Sequence, residues 1–96
     1  MAQRTISWAL PTKYTDDSVI DLGDVSKIIV HIWKDGQEVF LTLPGVATFP
    51  IEVTPGITND WQLTAELNGQ QSPKSPVYTY TEPFQVPMAP IVGSIS

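Results

Sequence analysis

Cysteine is absent from these 96 residues, so no disulfide can staple the chain and no thiolate can hold a metal or attack a substrate. Histidine is nearly absent too. His31 stands alone, which leaves no second imidazole for a zinc site or a nucleophile–base pair. Basic charge is scarce, with five Lys and Arg against ten carboxylates for a formal net charge of −5. A surface that tracks nucleic-acid phosphates needs the opposite sign, so nucleic acid is not an expected partner. No apolar run approaches the ~20 residues that span a bilayer, and no membrane partner is expected. Helix-length windows are few, because nine Pro and six Gly are scattered along the whole chain.

What remains is enough for one globular domain. A chain of this size buries roughly two thirds of its unfolded surface. The 42% hydrophobic content and three Trp argue against disorder. Residues 2–5 lack the apolar stretch of a secretory signal, so the expectation is cytoplasmic synthesis without general export.

The dominant pattern is alternation at period two, broken by turn residues at short intervals, as in all-β folds. A first run over 5–10 puts Ile6, Trp8 and Leu10 on one face and stops at Pro11. A second, over 27–34, places Ile28, Val30 and Ile32 on one face and Ile29, His31 and Trp33 on the other. Asp35-Gly36 follows, a strong hairpin signal, and 39–43 reads as the return strand. Phe49, Ile51 and Val53 alternate in the next run, where Pro50 points to a sheet edge. The clearest alternation sets Trp61, Leu63, Ala65 and Leu67 against Gln62, Thr64, Glu66 and Asn68. Asn68-Gly69 and Ser72-Pro73 read as a loop, and 77–81 as a final strand.

In this order the runs resemble a fibronectin type III domain. Ile6-Ser7-Trp8-Ala9-Leu10-Pro11 is similar to the family's second strand, with its Trp soon followed by Pro, and residues 28–33 to its aliphatic–aromatic third strand. Val53-Thr54-Pro55-Gly56 resembles the turn that closes the fifth strand, with Trp61 standing where the family has a Tyr. The resemblance implies an immunoglobulin-like β-sandwich of six to seven antiparallel strands over residues 1–82. It departs from the family in two ways. Trp61 cannot make the corner Tyr's hydroxyl bond, and the first strand is missing at the N-terminus.

Residues 83–96 form a proline-rich surplus. They can remain a loose arm or supply the missing first strand, to their own domain or to a neighbouring copy. Ile91 and Ile95 would then share one side of that strand.

Few residues suggest chemistry. The acidic stretch with Asp16, Asp17, Asp21 and Asp24 lacks the spacing of a twelve-residue calcium loop and reads as solvated. No nucleophile elbow or phosphate-binding glycine loop occurs. The expectation is therefore a non-enzyme without metal or cofactor, acting through protein contacts. The contact candidates are Ile29, His31 and Trp33, expected in solvent beside Tyr78 and Tyr80, together with Phe84, Val86, Met88, Ile91 and Ile95 of the arm. Short cysteine-free domains of the resembled family are carried on bacterial virus particles. The resemblance thus implies a head-decoration or tail component, with itself or other virion proteins as partners and homo-oligomerisation through the arm. The alternative is a binding or spacer module of a secreted bacterial glycosidase or adhesin.

Overall fold

The computed structural model describes residues 2–84 and 86–96; Met1 and Gln85, the latter within the arm, lie outside the described residues. Among the described residues the chain is all-β, with seven antiparallel strands in two sheets, one of them curled into a half-barrel. A single four-residue helical turn, α1 (Leu22–Val25), is the exception. No helix among these residues is long and apolar enough to cross a membrane.

The smaller sheet pairs β1 (Ala2–Ser7) with β4 (Thr48–Val53), in register from Ala2 opposite Val53 to Ser7 opposite Thr48. In the larger sheet, β2 (Ile29–Lys34) lies between β3 (Gln37–Leu41) and the ten-residue β5 (Thr58–Leu67). Two short strands share the far edge of β5: β6 (Gln70–Gln71) at its end and β7 (Tyr78–Thr81) at its start. The second strand thus starts two residues later than the apolar pattern suggests. The first starts earlier and ends at Ser7, with Trp8 still donating its backbone N–H to Ala47 at 3.0 Å.

Local chemistry explains the turns. Asp35 and Gly36 both have positive φ, 52° and 83°, which is the two-residue turn whose twist matches the flanking strands. Asn68-Gly69 does the same at 54° and 78°, so the stretch expected to be a loop is a hairpin with its own strand, β6. Between β6 and β7 the chain kinks through Pro73 and Pro76, and two serines keep the edge of β5 bonded. Ser72 and Ser75 donate their N–H groups to Ala65 and Leu63. Their hydroxyls accept the N–H groups of the same two residues at 2.9 Å. Every buried backbone group needs such a partner.

The core lies where the sheets face each other. Ile32, Ile51, Val53 and Trp61 form one buried cluster, joined by Ile6, Trp8, Phe49 and Tyr80. Ile20, Ile28 and Val30 form a second, joined by Leu10 and Leu63. The expected inward face of β2 is therefore the observed one, with Ile28, Val30 and Ile32 at most 2% exposed. On one flank the sheets are bridged by Phe40 of β3 and Phe49 of β4, whose ring centres are 5.0 Å apart.

Residues 86–96 of the arm are not part of this packing. They are all exposed, and no strand occurs among the described residues beyond Thr81. The radius of gyration is 19.4 Å, against ~12.5 Å for a compact chain of this length. The longest dimension is 76 Å, although β5, the longest strand, spans only ~33 Å. The excess is the arm.

Truncating Ile32, which is fully buried in the first cluster, should cost about 2–5 kcal/mol. Urea unfolding of Ile32→Ala is expected to show that loss. The same truncation at Leu22, 86% exposed, should change the midpoint little.

Candidate functional site

Two places gather side chains that could recognise something: the outer face of the larger sheet, and the flank where β1 and β7 approach each other.

On the outer face, Ile29 and Trp33 are half-buried, while His31 is 7% exposed rather than standing in solvent as expected. The reason is its neighbours on both sides. His31 lies opposite Leu41 of β3 and Thr64 of β5, and the carboxylates come from the diagonal positions. Glu38, opposite Trp33, bonds Nδ1, and Glu66, opposite Ile29, bonds Nε2 at 2.8 Å. With both nitrogens occupied, the ring offers neither a free base nor a metal-binding lone pair. It is a tie across three strands. Trp33 is likewise engaged: its indole N–H donates to Thr64 Oγ1 at 3.1 Å, and Lys74 Nζ sits 4.2 Å from its ring centre. Thr64, expected on a wet face, is buried, and its hydroxyl accepts from the Gln71 amide as well as from the Trp33 indole.

Tyr78 and Tyr80 are not on that face. They pair with Trp61 and Asn59, and so lie on the inner side of the sheet. There they line a groove of about 520 Å³. Residues 4–7 of β1 form one wall, Ser75, Pro76, Tyr78 and Tyr80 the other, and Ile51 and Trp61 contribute apolar surface. Trp61 is 3% exposed, yet its indole N–H has no hydrogen-bond partner among the described residues. Leaving such a donor buried and unpaired costs roughly 1–3 kcal/mol.

At one end the flank is bridged by charge. Arg4 Nε and Nη2 donate to the two oxygens of Glu82 at 2.8 and 2.7 Å, a bidentate pair between residues 78 positions apart. The Tyr80 hydroxyl donates to the same carboxylate at 2.7 Å, and the Glu82 carbonyl accepts the Gly56 N–H. Arg4 and Tyr80 hold the Glu82 carboxyl below the usual glutamate range. Nothing local in the sequence marks either residue, because the two meet only once both sheets are assembled.

The arm begins at this point. The Phe84 ring lies against Gly56, whose φ is +81° and where any side chain would collide with it, although the ring is 71% exposed. Val86, Met88, Ile91 and Ile95 are each between 78% and 94% exposed. Elsewhere carboxylates serve turns. Asp16 accepts from the Ser18 N–H and hydroxyl, and Asp35 from Asn59 and the Asp60 N–H. No group of three or more potential metal ligands occurs among the described residues. Compared with models of known families, with curated proteins and with solved structures, the chain matches none.

The two ties titrate in opposite senses. Burial lowers the His31 pKa, but bonding to Glu38 and Glu66 outweighs it, so the net shift is upward from 6.5. Its stabilisation is therefore complete below about pH 6.5 and is lost as pH rises through the folded value. Glu82 is shifted downward, so its contribution is present above about pH 4.5 and is lost as pH falls through the folded value. Stability measured by urea unfolding should decline on both sides of a mildly acidic maximum. His31→Gln is expected to flatten the alkaline decline and Glu82→Gln to weaken the acid one. An alkaline decline unchanged in His31→Gln would contradict the assignment.

Proposed function

We propose that the chain is an immunoglobulin-like sandwich of the fibronectin type III kind that acts without catalysis, as an assembly component held by protein contacts in a bacterial virus particle. The observation that carries the assembly reading is the open groove beside β1, together with an apolar arm left in solvent. Natural sheets blunt or cover their free edges, and an exposed apolar segment next to an uncovered edge marks a place for pairing.

Strand neighbours support the fold. With β1 taken as the family's second strand, it pairs β4, the fifth. β2, β5 and β7 become the third, sixth and last, adjacent in the other sheet as in that architecture. Only the first strand has no counterpart among the seven. Trp61, in place of the corner Tyr, has its N–H unpaired among the described residues, where the family's hydroxyl would bond backbone.

Support for a non-catalytic role comes from how the titratable groups are used. His31, Glu38, Glu66, Arg4 and Glu82 are each bonded to one another in ties between strands, and Asp16 and Asp35 hold turns. The virus setting draws on the family resemblance, which is an analogy of fold.

Particles purified after induction of the genetic element that encodes the chain should contain it at a fixed stoichiometry to the major particle protein, as read by quantitative mass spectrometry. A chain found only in the soluble fraction, at full expression, would overturn the virion reading.

A further inference from the structure

We propose that the groove between β1 and β7 is the acceptor for residues 91–96 of a second copy of this chain, which lie along β1 as an added strand. The proposal rests on the assembly reading above and names the partner that the open edge takes.

The two outer edges of the smaller sheet differ in one respect. Thr5 lies opposite Pro50, and Trp8 donates its backbone N–H to the Ala47 carbonyl, so the even-numbered residues of β1 are the ones bonded to β4. At the Thr5–Pro50 position both backbones point away from each other. Pro50 therefore removes a donor from the outer edge of β4 and guards that edge against pairing. On β1 the backbone groups of Gln3, Thr5 and Ser7 face outward with no proline among them. One edge is closed by sequence and the other is left ready. The edge of β3 is less suited, because a bulge between Ile32 and Trp33 interrupts its regular pairing.

The groove beside that ready edge also has a vacant acceptor position. Trp61 lines it, is almost wholly buried and, like Trp8 outside the groove, carries an indole N–H without a partner among the described residues. An incoming backbone brings carbonyl groups, the acceptor type that such a donor needs. The flank on the other side of the molecule needs no insert, since Phe40 and Phe49 already bridge it.

The arm supplies a matching strand. Residues 91–96 contain no proline, whereas Pro83, Pro87 and Pro90 precede them. They equal β1 in length, at six residues. Ile91 and Ile95 fall on one side with Gly93 between them, and both are more than 90% exposed in the isolated chain. Pairing places them against the apolar surface of Ile6, Ile51 and Trp61.

The donor is a second copy because the arm's own exit is fixed elsewhere. Glu82 is held by Arg4, Tyr80 and Gly56, and Phe84 is seated on the turn between β4 and β5. The Arg4–Glu82 pair bridges the flank at the end from which the arm departs. A return by the same chain would have to reverse over that bridge, and the arm instead runs outward to give the 76 Å length.

Light scattering on the full chain, across a dilution series, should give at least twice the monomer mass. The full-length Ile91→Asp/Ile95→Asp variant should be a monomer with an intact groove. Thr5→Pro, which removes one outward donor and none of the β1–β4 bonds, should be a monomer with an intact arm. Mixed together, these two should form a one-to-one pair, because each supplies what the other lacks. If Thr5→Pro does not fold, a synthetic peptide of residues 83–96 decides. Added to the Ile91→Asp/Ile95→Asp chain, it should slow hydrogen exchange at the Thr5 and Ser7 amides. A full chain that is monomeric at all concentrations, or an oligomer that survives the double Asp substitution, overturns the proposal. A chain found in virus particles that fails these tests overturns the arm-to-groove pairing alone, whereas its absence from particles bears on the virion reading.

Discussion

A two-stranded sheet is not stable by itself in water, and β1–β4 is such a sheet. Its existence depends on one shared core, in which Ile51 and Val53 of β4 meet Ile32 of β2 and Trp61 of β5. No tight turn joins β1 to β4, so their register is set by which side chains enter that core. A slip by one residue would turn Ile6 outward and bring Thr5 in. The rest of the molecule follows from holding this pair in place. The Phe40–Phe49 contact closes one flank, and the Arg4–Glu82 pair spans the other at a single end.

Polar groups in this small protein are spent on joining strands. His31 ties β3, β2 and β5 through Glu38 and Glu66, and Thr64 serves both Trp33 and Gln71. Serine hydroxyls complete the edge of β5 where prolines deform its partner strand. Without disulfides, such bonds define which strands are neighbours, while the apolar clusters provide most of the driving force. A single helical turn and five basic residues complete a molecule with little surplus chemistry.

Much of the fold was legible because the signals were local. Alternation located the strands, Asp35-Gly36 named its turn, and Pro50 named its edge. Three features were hidden, each for a physical reason. The diagonal carboxylates around His31 depend on cross-strand register, which a lone residue in a run does not disclose. Arg4 and Glu82 are joined only through tertiary structure. Tyr78 and Tyr80 were expected beside Trp33, but the parity of the β5–β7 pairing puts them on the opposite side of the sheet. The hairpin at Asn68-Gly69 is different in kind: its signal was present, and the nearby Ser-Pro pairs obscured it. Of the groove nothing was legible in the sequence, because its two walls, β1 and β7, lie some seventy residues apart and meet only in the folded chain.

The order of the strands also bears on how the chain is made. Of the seven strands β1 is synthesised first, but the strand it pairs with among the described residues, β4, begins 41 positions after β1 ends, counted from Ser7 to Thr48. The β2–β3 hairpin lies within that interval and can form first, shortening the loop that must close. Until β4 and β5 have left the ribosome, Ile6 and Trp8 have no core to enter. β1 thus finds its place only after strands made later than itself, and the β1–β4 pairing is the most widely separated in sequence among the described strand pairs, the kind of closure that slows folding.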